Sequence, residues 1–166
     1  MLRTSVLLLG LAFGAFAQVK VAIINSQAAV IDTAEIKKAQ TELEAKYKPR
    51  QAQIETLQKE IAGLQQQLQA GQGKLTPQAE QDIQIRGQRK QRELQRLGED
   101  LQGEVDRERQ EILGRSGQRM QDVVKKMAEE RGLDVVIDVS NTIYYKPALE
   151  LTKEATAAYD KAYPAK

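Results

Sequence analysis

Apolar positions along the chain follow two periodicities, one helical and one extended, in different regions. From Thr33 onward, Ile36, Leu43, Tyr47, Ile54, Leu57, Ile61, Leu64 and Leu68 fall on the two apolar positions of a seven-residue repeat, with polar Gln40 and Arg50 as exceptions. That spacing predicts a helix with a coiled-coil seam. A second strip runs from Pro77 to about Arg131 through Ile83, Leu94, Leu97, Leu101, Val105, Ile112, Val123 and Met127. Its rhythm differs: Leu94, Val105, Ser116 and Met127 are eleven apart, as are Leu101, Ile112 and Val123, a repeat that gives a straight or slightly right-handed contact.

The stretch AGQGKLTPQ, Ala70 to Gln78, separates the two strips. Gly71 and Gly73 are expected to end the first helix, and Thr76 followed by Pro77 supplies an N-cap and a preset first helical position for the second. The pattern is that of a long antiparallel helical hairpin with its tip at about 70–77. At about 1.5 Å per residue the first helix reaches roughly 55 Å and the second farther, more than a compact domain of this mass needs, so the hairpin projects. Pro49 inside the first helix, and Gly87, Gly98, Gly103, Gly114 and Gly117 inside the second, predict that these helices bend.

Extended alternation appears only near the ends of the chain. In VKVAIIN, Val19, Val21 and Ile23 share one strand face; in GLDVVIDVSN, Leu133, Val135, Ile137 and Val139 do the same, and Ser140-Asn141 is placed to turn into a third strand, Thr142 to Tyr145. A helix out and a helix back return the chain to its start, so these strands are expected to share one small antiparallel sheet. Ala22, Ile24 and Val136 make its second face partly apolar, and partner chains are the expected cover. The fold class is therefore mostly α with a small β part. Residues 18–32 and 132–166 form the β-containing body, and residues 33–131 form the hairpin leg.

The first 17 residues read as a secretory signal: basic Arg3, an apolar run from Val6 to Phe16, and Ala15-Phe16-Ala17 as the cleavage site, with Gln18 the mature start. The apolar run is too short for a membrane anchor, which needs about 20 such residues. Export into an oxidising compartment usually brings disulfides, yet the chain has no cysteine, so stability must come from packing or assembly. Both phenylalanines lie in the signal and there is no tryptophan, which is thin material for one compact core.

The composition also bounds the chemistry. Without His or Cys the chain lacks the usual general base, the thiol nucleophile and the common zinc ligands, and no catalytic residue, metal site or cofactor is expected. Asp134 and Asp138 lie on the Val136 face of a strand, too far apart to share a proton, and are expected to be solvated or salt-bridged. The GQGK of Gly71 to Lys74 is not a phosphate loop: Leu68 replaces the first glycine, Leu75 replaces Ser or Thr, and no strand precedes it.

Taken in order, VKVAIINSQAAV, AQTELEAKYKPRQAQIETLQKEIAGLQQQLQ, KLTPQAEQD and GLDVVIDVSNTIYYKPALELTKEA resemble the OmpH/Skp family of periplasmic chaperones, over essentially the whole exported chain. The resemblance implies a homotrimer whose strands join in one small β body, with Val19, Val21, Ile23, Val135, Ile137 and Val139 at the trimer core. It implies three hairpin legs around a cavity that holds unfolded outer-membrane β-barrel proteins without ATP. One departure is Lys146 before Pro147, where relatives often carry an acidic residue.

Charge adds a direction to this picture. Between Ala62 and Arg96 there are six basic residues, Lys74, Arg86, Arg89, Lys90, Arg92 and Arg96, against three acidic ones; from Leu97 to Arg131 the count is seven basic against nine acidic. The outer leg is thus positive, suited to acidic segments of a client, to a membrane surface, or to the phosphates of lipopolysaccharide, a ligand the resemblance implies for some members of the family. Nucleic acid is not an expected partner, given the export signal and a charge near neutral. A structural coiled-coil spacer or envelope scaffold would explain the helices but leaves the flanking strands without purpose.

Overall fold

The computed structural model describes residues 19–165. The expected signal, residues 1–17, lies outside them. The described elements are strand β1 (Val21–Ile24), helix α1 (Ser26–Ile31), helix α2 (Ala34–Ala70), helix α3 (Pro77–Arg131), strand β2 (Val135–Asp138) and helix α4 (Thr152–Ala162). Two 3-10 turns, Val139–Asn141 and Pro147–Leu149, lie between β2 and α4.

Local signals start and stop the helices. Asn25 caps α1 by accepting from the Ala28 amide, Thr33 caps α2 by accepting from Ile36, and Thr76 caps α3 by accepting from Ala79, with Pro77 in the first turn. The α2 helix runs continuously through Pro49, whose ring is exposed. It ends where Gly71 passes under Leu75: a Cβ on Gly71 would stand 2.5 Å from Leu75 Cδ1, so any larger residue there would displace the Leu75 side chain. The α3 helix ends at Gly132, left-handed at φ 61°, with the Leu133 amide donating back to Ala128 at 2.9 Å and the Gly132 amide to Glu129 at 3.2 Å.

The turn at Gly132 delivers the chain beside Lys20. There the Asp134 amide donates to the Lys20 carbonyl at 2.9 Å, and the Lys20 amide donates to an Asp134 carboxylate oxygen at 2.7 Å. With both strands starting at the same end, β1 and β2 pair in parallel, Val21 opposite Val135 and Ile23 opposite Ile137. This corrects the expected antiparallel sheet. Period-two alternation sets which side chains share a face but carries no information on polarity, which the long crossover through three helices decides. The expected third strand is also corrected: Thr142 to Tyr145 is not a strand, and a single bridge from Glu150 to Ile23 flanks β1 instead.

The core sits at this end of the molecule. Ile24, Ala29, Val30, Ile36, Met120, Val123, Met127, Ala155 and Tyr159 form one buried cluster, with Val136 and Tyr163 packed against it. Farther out, α2 and α3 bury only a seam, in which Tyr47, Leu57, Ile61 and Leu64 from α2 and Ile83 and Leu101 from α3 are buried. The seven-residue pattern is realised closely. Of its ten positions in α2 only Gln40 is exposed, and Arg50 is half-buried because it pairs with Glu104.

Candidate functional site

Three features are placed by this architecture: the polar surface of the leg, the apolar faces of the body, and a charged hub between them. Along the leg, ion pairs cross from α2 to α3, Lys46 with Glu108, Arg50 with Glu104 at 2.7 Å and Glu60 with Lys90 at 2.6 Å, so early α2 positions meet late α3 positions. Tyr47 is buried among them, and burial pushes its phenol up from its ordinary value. The neighbouring Lys46 ammonium lies 5.2 Å from the Tyr47 ring centre and is raised chiefly by its hydrogen bond to Glu108.

The six basic residues singled out in the outer leg are not equivalent. Lys74 is exposed at the tip, and Arg86, Arg89, Arg92 and Arg96 are exposed along the first part of α3. By helical spacing Arg89, Arg92 and Arg96 share one face with the exposed Ile85. Lys90 instead turns into the seam toward Glu60 and is partly neutralised. A free positive strip therefore consists of the four arginines and Lys74.

In the body, the parallel register places Val21, Ile23, Val135 and Ile137 on one sheet face and Ala22, Ile24, Val136 and Asp138 on the other. The second face supplies the chain's own core through Ala22, Ile24 and Val136. Ile23 is buried, but Val21, Ile137 and Val139 are only half-buried, and Val19 and Val135 are exposed. Val19 and Val139 fall outside the two strands. Among the described residues, eight large hydrophobic residues are exposed, and of these only Ile85 belongs to the outer leg; Val19, Ile31, Leu113, Val135, Ile143, Tyr144 and Leu149 belong to the body or the base of the leg.

Sequence reasoning missed the hub. Glu35, in the first turn of α2, accepts from Arg119 of α3 at 3.0 and 3.1 Å and from the Tyr159 hydroxyl of α4, with Arg115 at 3.8 Å. The Arg119 guanidinium also lies 4.8 Å from the Tyr163 ring centre, and the two tyrosine rings are 5.1 Å apart. Burial, then the bond to Glu35, raises the Tyr159 phenol above its ordinary value. The only trace of this site in the sequence is an acidic residue just after an N-cap threonine, which reads as an ordinary helix-start preference.

Asp138, expected to be solvated or salt-bridged, has hydrogen-bond donors rather than a charge partner. It accepts from the Ser140 amide at 2.8 Å and hydroxyl at 2.6 Å, from the Ser26 amide at 3.1 Å and from the Ser26 hydroxyl. The Ser140 hydroxyl first, then that of Ser26, hold its carboxyl far below the usual carboxylate range. These bonds fasten the end of β2 to the start of α1. Beside them an apolar groove of about 740 Å³ opens between α1, α3 and β2, lined by Ile24, Val30, Leu113, Met120, Val124 and Val136.

The fold and these surfaces define a class: a small α/β body that keeps an uncovered apolar face, carrying a long, narrow, polar helical leg. Residues 20–159 match the family described as "Outer membrane protein (OmpH-like)", and the chain belongs to that family. It is similar to a solved chain from Caulobacter crescentus, provisionally described as an outer membrane chaperone (OmpH-like). The TM-score is 0.72 and the identity 21%, covering 90% of this chain and 89% of that one. Among curated proteins none matches the sequence. Among the described residues, no helix is long and apolar enough to cross a membrane.

Proposed function

We propose that this protein is an ATP-independent holdase chaperone of the periplasm, exported by a signal cleaved after Ala17, that encloses unfolded outer-membrane β-barrel proteins and prevents their aggregation. In this reading residues 18–32 and 132–166 form a trimerisation body with Val19, Val21, Ile23, Val135, Ile137 and Val139 at its core. Residues 33–131 form an antiparallel hairpin leg, and three legs bound a cavity.

The observation that supports it most is the contrast between the two ends of the chain. Helices of 37 and 55 residues share only a thin buried seam, while the apolar surface left uncovered gathers at the body. A leg whose free surface is polar binds an unfolded chain through many weak contacts. Such contacts sum to useful affinity for the unfolded state without gluing leg to leg or trapping the client. The strip of Lys74, Arg86, Arg89, Arg92 and Arg96 then attracts acidic client segments or the phosphates of lipopolysaccharide or a membrane surface.

The test is aggregation of a urea-unfolded outer-membrane barrel diluted into buffer without nucleotide. The exported chain, residues 18–166, suppresses light scattering at about one trimer per client. Scattering that matches the client alone would refute the holdase reading.

A further inference from the structure

The outer leg is polar on its surface, yet one slot on it has an apolar floor. Between α2 and α3 a groove of about 310 Å³ opens over the buried Ile61, Leu64 and Ile83, and on the α3 side Gly87 presents no side chain to it. A Cβ at Gly87 would meet nothing within 4 Å, so the packing of the hairpin does not require glycine there, although glycine weakens a helix interior. Four exposed glutamines form the rim, Gln65 from α2 and Gln84, Gln88 and Gln91 from α3. Among the described residues only Gln84 of the four engages its amide within the protein, donating to Glu80 at 3.4 Å. No charged side chain lines the slot, and Lys90 and Glu60, which adjoin it in sequence, hold each other at 2.6 Å.

We infer that this slot takes an uncharged, extended segment of an unfolded outer-membrane strand, with one apolar side chain on the floor beside Gly87 and the adjoining peptide groups against the glutamine amides. The inference rests on the holdase reading above and gives the leg a defined contact. Charge selects the occupant first: the lining is neutral, so an acidic or basic segment would lose hydration of its charge and find no partner in the slot. Hydrogen bonding selects next. A glutamine amide both donates and accepts, as a peptide group does, so the rim pairs with the N–H and C=O groups of any sequence, through bonds that are individually modest, as release of a client requires. The dimensions agree as well. Groups on one side of a strand recur about every 6.4–6.8 Å, and Gln84 and Gln88, four residues apart on α3, are offset by about 6 Å along the helix axis. A volume at the bottom of the range for ligand sites admits the side chains of a single strand and not a second helix. Strands of outer-membrane barrels supply the matching pattern, apolar at alternate residues and polar between them.

The test compares Gly87→Leu in the exported chain with Gly98→Leu, the same change nearer the body, where a Cβ also meets nothing within 4 Å. Affinity for a fluorescently labelled, urea-unfolded outer-membrane barrel is measured by titration at high salt, where the basic strip is screened, and stability by urea unfolding. Gly87→Leu should keep or raise the urea midpoint. It should weaken client binding by at least about fivefold, since the filled floor no longer buries a client side chain, while Gly98→Leu keeps the parent affinity. A second variant combines Gln84→Ala, Gln88→Ala and Gln91→Ala, which preserves the floor and helix propensity but removes the α3 amides of the rim, and it should weaken binding to a similar degree. Parent affinity in either the Gly87 or the glutamine variant, or an equal loss in Gly98→Leu, would overturn the slot and leave the holdase reading standing. A parent protein that binds no client would overturn both. If Gly87→Leu lowers the urea midpoint, the glutamine variant decides alone. A change in the mass of the client-free assembly on filling the slot, read by light scattering, would mean that a neighbouring leg occupies it, which also refutes the inference.

Discussion

Glu35 and Arg119 are 84 positions apart in the chain, yet the Arg119 guanidinium donates to both carboxylate oxygens of Glu35. The bond joins the base of α2 to the return of α3, and the Tyr159 hydroxyl brings α4 to the same carboxylate. Removing that hydroxyl by Tyr159→Phe keeps the ring in the core and deletes one donor to a charged acceptor. The expected cost is about 1–2 kcal/mol, read as a lower urea midpoint at fixed protein concentration. Glu35→Gln should lower the midpoint further than Glu42→Gln, since Glu42 reaches only the exposed Lys38 one turn back. Equal effects of the two glutamate changes would show that the hub is only another surface pair.

Assembly is tested at Ile137. It lies opposite Ile23 on the half-covered sheet face, and Ile137→Asp places an ionised group where the partner chains are proposed to close. Light scattering should show monomer or aggregate. A well-folded trimer would move the oligomer contact off this face.

Charge is tested by changing Arg86, Arg89, Arg92 and Arg96 together to Gln, leaving Lys90 in place because Glu60 already holds it. Capture of an acidic unfolded barrel should slow, most at low ionic strength where screening is weakest. Unchanged rates at low salt would reduce the strip to a solvated helix face.

The glycines inside α3 can be tested one at a time. A Cβ at Gly98, Gly103 or Gly114 would meet nothing within 4 Å, so no close approach requires glycine there. Each change to Ala should stabilise the helix by about 0.5–1 kcal/mol, visible as a higher urea midpoint. A lower midpoint would mean that these positions serve a packing the single chain does not contain, such as a contact between legs.

Acid stability follows from Asp138. Its folded carboxyl is held below its unfolded value of about 3.9, so its contribution is fully present above that pH and is lost as pH falls toward the folded value. The parent protein should therefore lose stability on acidification below about pH 4 more steeply than Asp138→Asn, with the two curves offset but parallel above that range. Parallel curves throughout would show that the serine donors do not tune this group.

Much of the leg was legible because a single helix has one strict demand, an apolar contact every three or four residues. Ile36, Tyr47, Leu57, Ile61 and Leu64 satisfy it in α2 and mark the seam directly. Its one charged exception is explained across the chain, Arg50 finding Glu104. The caps at Thr33 and Thr76 were legible for the same local reason. Strand polarity was not, because Val21, Ile23, Val135 and Ile137 alternate identically in either direction and the crossover alone decides. The third strand failed for lack of a neighbour within the chain. Thr142 to Tyr145 has strand composition, but β1 is paired with β2 and bridged at Ile23 by Glu150 instead. The hub was invisible because Glu35, Arg119 and Tyr159 come from three helices and none of their local contexts is unusual.

The central claim, that the client is held between the legs rather than on the body, is tested most directly by shortening the leg. Residues 64–94 are removed and the cut helices rejoined by a glycine-containing turn. The body core formed by Ile24, Val30, Ile36, Met120, Val123, Met127 and Tyr159 lies entirely outside the cut. Its burial should keep the shortened protein trimeric and cooperatively folded, which light scattering and urea unfolding verify first. Light scattering of a diluted unfolded barrel is then the decisive reading. The shortened trimer should leave the client to aggregate as it does alone, since the wall that supplied the weak contacts is gone. Full suppression by the shortened trimer would contradict the account and place client binding on the body and its exposed Ile143 and Tyr144.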